Sequence, residues 1–312
     1  MAEAEVGDDA YGEDPTVRRL EEAYAERVGK AAGLFLPSGT MANQVAVRAQ
    51  APAGTAVVAG RTSHVARYEE ASAGVLQVAQ LLTVDDGGGC PDPAAVAEAV
   101  EGGAHHCVPV SLVCVEDTHM RAGGVPLDPD GLAALAATGR PVHVDGARLF
   151  HAEVATGVPA GERVRSACTV WTALSKGLGA PVGSVLAGPA AVVAEARAWR
   201  RRFGGQLRQA GVLAAAGLVG LEGVERLAED HARAARLAAA VAERWPGAVD
   251  PATVRTNMVA FEHPDPDAVL RHLGAAGVLA GTIAPRTLRL VTSLEVDDAG
   301  VDRACRALAT AP

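Results

Sequence analysis

The stretch VHVDGARLF, residues 142–150, combines a strand pattern with a pair of charged residues. Val142 and Val144 alternate with a polar residue, as in a β-strand, and Asp145 and Arg148 follow where that strand would end. The two charges form either a solvent-exposed ion pair or one wall of a site. In an open parallel sheet, ligands bind beyond the carboxyl ends of the strands, so the second interpretation requires an α/β fold.

Strands and helices alternate on both sides of this stretch. Apolar runs of strand length alternate with stretches in which apolar residues recur at helical spacing, such as Val17, Leu20 and Tyr24. This alternation predicts an α/β fold with a mainly parallel sheet. Strands are predicted at or within 55–60, 81–84, 110–117, 141–147, 168–177 and 184–188, and helices at 15–29, 41–50, 92–102 and 128–139.

The pattern changes after about residue 205. A long alanine-rich helical region, 208–244, precedes two strand-like runs at 257–263 and 287–294, with a helix near 265–277 between them. These elements predict a smaller C-terminal α+β unit. The sequence thus predicts a large domain over 1–223 and a small domain over 224–312.

Composition and charge exclude several classes of protein. The 312 residues are 49% hydrophobic and 21% charged, which is typical of a globular chain, and the net charge of −9 offers no basic face for nucleic acid or an anionic membrane. There is no signal peptide and no uninterrupted membrane-spanning run. The five cysteines show no C-x-x-C spacing, so neither a metal site nor a disulfide framework is predicted. A cytoplasmic protein is expected.

One lysine stands out as a candidate catalytic residue. Lys176 lies between a predicted strand end and a glycine-rich loop, and Lys30 is the only other lysine in the chain. A lysine in this position is either a solvated surface residue or the residue that forms a Schiff base with a carbonyl cofactor. Asp145 is likewise either a turn-capping residue or the acid that such a cofactor needs beside its ring nitrogen.

Other residues at the predicted strand ends are candidates for the same site. The SGT segment, residues 38–40, leads into a helix whose backbone N–H groups can bind phosphate, although Ser38 could also be an ordinary N-cap. His64 and His119 are either structural histidines or catalytic groups. The basic run 197–203 is interpreted as a solvated or subunit-facing helix surface.

Six segments together resemble the threonine aldolases. This family belongs to the fold type I, aspartate aminotransferase-like enzymes that use pyridoxal 5′-phosphate (PLP), and it is grouped with the β-eliminating lyases. The resemblance extends over nearly the whole chain. It is carried by VGDDAYGEDPTVRRLEE (6–22), FLPSGTMANQVAVRA (35–49), SHVARYEEAS (63–72), VHVDGARLFHAEVATGVP (142–159), LSKGLGAPVGSVLAG (174–188) and GGQLRQAGVLAAAGL (204–218).

The resemblance implies how PLP is held. Lys176 is the Schiff-base lysine, Asp145 contacts the pyridine nitrogen, and His64 stacks on the ring face opposite the lysine. The residues implied to cradle the phosphate are Ser38, Gly39, Thr40 and Arg208.

It also implies the reaction and the assembly. The enzyme cleaves L-threonine and related β-hydroxy-α-amino acids to glycine and an aldehyde, and forms a homodimer or homotetramer. Arg148 and Arg289 bind the substrate carboxylate, and His119, or a water that it positions, removes the β-hydroxyl proton. The alternatives are a related β-eliminating lyase, a racemase, an aldolase that runs in the biosynthetic direction, and a catalytically weakened cofactor-binding homologue.

Three departures from the family pattern bear on activity. Met1 lies immediately before the VGDD segment, without the serine-containing segment that usually precedes it, and EDTHM and VTS place Asp117, Met120 and Ser293 at positions where the family usually has other residues. Asp117 is expected to alter the electronics near the cofactor. The chain as given is therefore expected to bind PLP but to cleave threonine weakly.

Overall fold

The computed structural model describes residues 1–77, 79–102 and 106–312. Seven strands form one sheet in the order β1-β7-β6-β5-β4-β2-β3. β7 is antiparallel to both of its neighbours, and the other pairs are parallel, so the predicted mainly parallel α/β sheet is confirmed. The strands are β1 Ala32–Leu36, β2 Ala56–Gly60, β3 Gln80–Val84, β4 Val110–Glu116, β5 Val142–Asp145, β6 Thr169–Ala173 and β7 Ser184–Gly188.

Helices cover both faces of this sheet, which buries its central strands completely. The first helix begins where the sequence predicts it, because the Asp14 carboxylate caps the N–H groups of Thr16 and Val17 and Pro15 occupies the first turn. The helices are α1 Pro15–Arg27, α2 Gly39–Gln50, α3 His64–Arg67, α4 Ser72–Gln77, α5 Pro93–Gly102, α6 Pro129–Ala136, α7 Leu149–Thr156, α8 Ala160–Arg163, α9 Ala190–Arg202, α10 Gly211–Glu222, α11 Leu227–Arg244, α12 Pro266–Ala275 and α13 Asp298–Ala309.

Two apolar layers hold the helices against the sheet. On one face, α1 and α10 pack closely, and Gly217 makes this approach possible because an added Cβ would lie 2.9 Å from Leu174 and 3.1 Å from Leu20. On the other face, α2 and α9 pack over Trp171 and Leu186. This packing supports β6 and the segment that follows it.

A second, antiparallel sheet follows in the chain, in the order β8-β10-β9. It has its own apolar cluster, which includes Leu237, Phe261 and Leu308. This matches the expected C-terminal α+β pattern, whereas the proposed division between residues 223 and 224 stays a prediction. The strands are β8 Met258–Glu262, β9 Gly281–Ala284 and β10 Thr287–Val291.

One expectation about helices is confirmed and one is corrected. The region 208–244 is helical, as predicted, and it divides at Gly223 into α10, a short 3-10 turn at Val224–Arg226, and α11. The basic run 197–203 is not wholly solvated, because helical periodicity turns Arg200 inward. Arg200 is 1% exposed and is ion-paired with Asp9 at 2.8 Å.

Within the described residues, none of the helices combines the length and the apolarity that crossing a lipid bilayer requires.

Candidate active site

Asp145 ends β5 at the carboxyl edge of the sheet, in register with Glu116 at the end of β4. The residue is 3% exposed. One carboxylate oxygen accepts a hydrogen bond from Asn43 Nδ2 at 2.8 Å, and the other accepts one from the Ala147 N–H at 3.2 Å. The buried carboxylate is therefore held in one orientation.

Asn43 connects Asp145 to a larger buried network. Its Nδ2 also donates to Glu69 at 2.6 Å, and its Oδ1 accepts from Trp171 Nε1 at 2.6 Å and faces His143 Nε2 at 3.0 Å. Burial lowers the pKa of His143 to about 4, so this ring is neutral at physiological pH. Neither Asn43 nor Glu69 is predicted from the sequence as a site residue, although both lie inside the segments that carry the resemblance.

His64 opens α3 beside this network, with a side chain that is 30% exposed. Its backbone N–H donates to Glu116 at 2.8 Å, and its Nδ1 lies 3.0 Å from Glu69. Burial opposes the charged ring, but the hydrogen bond to Glu69 and the negative charges of Asp145 and Glu116 outweigh it and raise the pKa of His64. Polar atoms of His64, Glu69 and Asp145 all lie within 4.8 Å of one another.

The two lysines have different surroundings. Lys30 donates to the carbonyl oxygens of Val164 and Ala167 at 3.0 and 2.6 Å. Lys176 lies in the loop after β6, with its Nζ 6.0 Å from the centre of the Trp171 ring. Burial, and then repulsion by Arg148, lower the pKa of Lys176 to about 8. A substantial neutral fraction makes this amine a usable nucleophile at neutral pH.

The N-terminus of α2 supports both interpretations of the SGT segment. The Ser38 hydroxyl caps the helix by accepting from Met41 N at 3.1 Å. The N–H groups of Gly39 and Thr40 lie in the first turn, where the helix itself offers no acceptor, so they can bind an anion. Glycine is required at position 39 because an added Cβ would overlap the ring of Trp171.

Arg208 lies on the surface, with a side chain that is 63% exposed. Its guanidinium is paired with Asp8 at 2.7 Å and lies 5.9 Å from the ring centre of Tyr11. Its implied contact with a phosphate stays a prediction.

Arg148 and Arg289 provide positive charge near Lys176. A cavity of about 340 Å³ is lined in part by Arg148, Lys176, Asn257 and Ser293. The Nε of Arg148 is buried and has no hydrogen-bond partner among the described residues. Burial, and then the charge of Arg289, lower the pKa of Arg148 to about 10. An unpaired guanidinium N–H in such a place suits a carboxylate ligand.

His119 is 1% exposed, and both of its ring nitrogens are engaged. Its Nδ1 accepts from the Ala122 N–H at 3.2 Å, and its Nε2 lies 3.1 Å from Asp86. Asp86 also accepts from the backbone and the hydroxyl of Thr62, two residues before His64. The His119 ring is therefore linked through Asp86 to the loop that carries His64. Its implied role toward the substrate hydroxyl stays a prediction.

Asp117 is turned into a buried ion pair. Its carboxylate accepts from Arg163 at 3.0 Å and from the Leu127 N–H at 2.9 Å. Burial raises the pKa of Asp117 to about 6, against the pull of Arg163. Asp117 is therefore paired with a neighbouring guanidinium, and its expected electronic effect on a cofactor stays a prediction.

A known family and several known proteins are similar to this chain over most of its length. The family model described as beta-eliminating lyase matches residues 1–264. The chain is 39% identical to the probable low-specificity L-threonine aldolase 2 of Arabidopsis thaliana, over 97% of this chain and 89% of that protein. It is 36% identical to the low specificity L-threonine aldolase of Escherichia coli K12, over 95% and 89% of the two chains.

A solved structure shows the same fold. The Leishmania major threonine aldolase superposes with a TM-score of 0.81, at 19% identity, over 96% of this chain and 90% of that one.

The fold and the site define a fold type I, PLP-dependent lyase. The chain belongs to the beta-eliminating lyase family and, within it, to the threonine aldolases. Its residues fit the cofactor: Lys176 offers an amine of lowered pKa, Asp145 a fixed carboxylate, and the first turn of α2 N–H groups that have no acceptor within the helix.

Proposed function

We propose that this protein cleaves L-threonine and related β-hydroxy-α-amino acids into glycine and an aldehyde, with PLP bound at Lys176. The observation that carries the proposal is Lys176 itself. Its amine has a pKa lowered to about 8, and it lies within the electrostatic influence of both Asp145 and Arg148. The activities named for the relatives support the same substrate class.

Four sets of residues would hold the cofactor in this proposal. Lys176 binds the aldehyde end, and the N–H groups of Gly39 and Thr40, with Ser38 and Arg208, bind the phosphate end. His64 packs against one face of the ring. Asp145, oriented by Asn43, keeps the proton on the ring nitrogen. PLP supplies an electron sink that accepts the electron pair of the broken Cα–Cβ bond.

The substrate is oriented by its carboxylate. Arg148 and Arg289 bind this group, and the unpaired Nε of Arg148 provides one of the donors. Fixing the carboxylate would fix which bond at Cα is aligned for cleavage when PLP is bound. In this proposal His119, or a water that it positions, takes the proton of the β-hydroxyl, which requires one of its ring nitrogens to exchange its present partner, Asp86 or the Ala122 N–H.

The test is the comparison of Lys176→Ala with Lys30→Ala. We expect Lys176→Ala to abolish the formation of glycine and acetaldehyde from L-threonine, because no other described lysine lies in the site. Lys30→Ala is the matched control and should keep turnover. Undiminished turnover by Lys176→Ala would rule out the proposed role.

We also propose that the protein is a cytoplasmic homodimer or homotetramer with a large domain over 1–223 and a small domain over 224–312. All five cysteines are free thiols, which suits a reducing compartment. Tyr11 and Arg208 present exposed contact groups on one surface. Sedimentation equilibrium measures the assembly, and a monomer at micromolar concentration would contradict it.

A further inference from the structure

The peptide group between Gly177 and Leu178, one residue beyond Lys176, is held by a side chain from a distant part of the sequence. Arg226 Nη2 donates to the carbonyl oxygen of Gly177 at 2.6 Å. Arg226 ends the short 3-10 turn before α11, and its other terminal nitrogen is paired with Asp230 at 3.1 Å. The side chain of Asp230 is fully buried, so the guanidinium has a fixed anchor.

Gly177 is confined from a second direction as well. A Cβ added at this position would overlap His151 Nε2 and would lie 2.8 Å from Leu227. His151 is in turn bonded through Nδ1 to His231 Nε2 at 2.9 Å. Arg226, Leu227 and His231 all belong to the first turns of α11 or to the residue before it. One end of a single helix therefore encloses Gly177.

This enclosure bears directly on the direction of the Lys176 side chain. The loop is closed by bonds from Gly179 N to the Lys176 carbonyl at 3.0 Å and from Ala180 N to the Leu174 carbonyl at 2.9 Å. Gly177 is the neighbour of Lys176 in this closed loop, so a displacement of the Gly177 backbone would displace the backbone of Lys176 as well. Holding the Gly177 carbonyl therefore restricts where the Lys176 amine can lie.

The same helix end is bonded to the opposite wall of the cavity. The Thr292 hydroxyl donates to the backbone carbonyl of Asp230 at 2.6 Å, and Thr292 precedes Ser293, which lines the Lys176 cavity. The Asn257 side chain donates to the Thr292 carbonyl at 2.8 Å. Arg226 therefore bonds to the loop that contains Lys176, and its ion-pair partner Asp230 bonds to Thr292 on the β10 side of the cavity.

We propose that Arg226, anchored by Asp230, is a positioning residue that sets the Lys176 amine for attachment of PLP. The inference rests on the proposed role of Lys176. In the attachment step, Nζ attacks the aldehyde carbon, a carbon–nitrogen double bond forms, and the aldehyde oxygen leaves as water. The rate of this step depends on how often the amine lies in line with the aldehyde.

The experiment measures the rate at which PLP becomes attached to apoprotein, followed by absorbance, in Arg226→Met, Arg226→Lys and Arg236→Met. Arg236→Met is the matched control, since it removes an ion-paired guanidinium from the exposed side of α11. We expect Arg226→Met to slow attachment about tenfold or more, as for the loss of a hydrogen bond to a charged group. Arg226→Lys should recover part of the rate, and Arg236→Met should match the wild type.

A second readout separates positioning from general destabilisation. Release of the loop returns Lys176 to water, away from the charges of Arg148, Asp145, Glu116 and Arg289, so the pH midpoint of attachment should rise in Arg226→Met. Wild-type rate and midpoint in this variant would overturn the positioning role. If Arg226→Met does not fold, Asp230→Asn tests the same expectation. Attachment of PLP to another residue of the wild type would instead overturn the role of Lys176 and this inference with it.

Discussion

At the scale of single residues, the charge of Asp145 is the most consequential feature of the site. Two hydrogen bonds orient this carboxylate, and the proposed role requires it to hold a proton on the cofactor ring. Asp145→Asn keeps the shape and loses the charge. We expect turnover to fall about a hundredfold or more, the scale on which positioned acid–base groups contribute, while PLP stays bound. Product formation and cofactor absorbance measure the two effects, and wild-type turnover would refute the role.

Residue positions differ in how far they can be predicted. The positions of Lys176, Asp145 and Gly39 at the ends of regular elements were predictable, because the strand and helix patterns predict where those elements end, whereas their roles stay predictions. Asn43 and Glu69 were not, because their importance lies in contacts across the fold. Asn43 is 102 positions away from Asp145 in the sequence, and no local pattern specifies that pairing.

At the scale of elements, α7 and α11 contact each other through the neutral imidazole rings of His151 and His231. Burial lowers the pKa of His231 to about 4 and that of His151 well below its usual value. Below about pH 6.5, the unfolded chain binds protons at these rings that the folded protein does not bind. The contribution of the pair to the free energy of unfolding therefore decreases as the pH falls from 6.5 toward 4.

His231→Asn tests this pH dependence. We expect the variant to lose less stability than the wild type between pH 6.5 and 4, because one titrating ring is gone. Denaturant unfolding at a series of pH values measures the difference. Parallel stability profiles for the two proteins would show that His231 does not titrate in this way.

Elements whose apolar residues recur at a clear strand or helix period were predicted from the sequence. An element whose character depends on the strand that it pairs with was not. No strand is predicted at Ala32–Leu36, which forms β1, because its strand character comes from antiparallel pairing with β7. The long helical region lacked a clear stop signal, since Gly223 lies within an alanine- and glycine-rich stretch.

At the scale of the whole molecule, residues from both sheets converge on Lys176. The large sheet supplies Asp145 and the lysine loop, whereas Asn257 and Ser293 beside the second sheet line the same cavity. The fold class and the family could be predicted from the sequence, because six segments together carry the resemblance. The connection between the two sheets through α11 could not, because it depends on single hydrogen bonds between remote residues.

The most direct measurement is to load the protein with PLP, reduce it with borohydride, digest it and locate the modified residue by mass spectrometry. Reduction converts the lysine attachment into a stable bond, so the modified peptide identifies the attachment residue. We predict modification at Lys176 alone, with Lys30 unmodified. Modification at Lys30, or the absence of any PLP-modified lysine, would contradict the central claim that this site is built around Lys176.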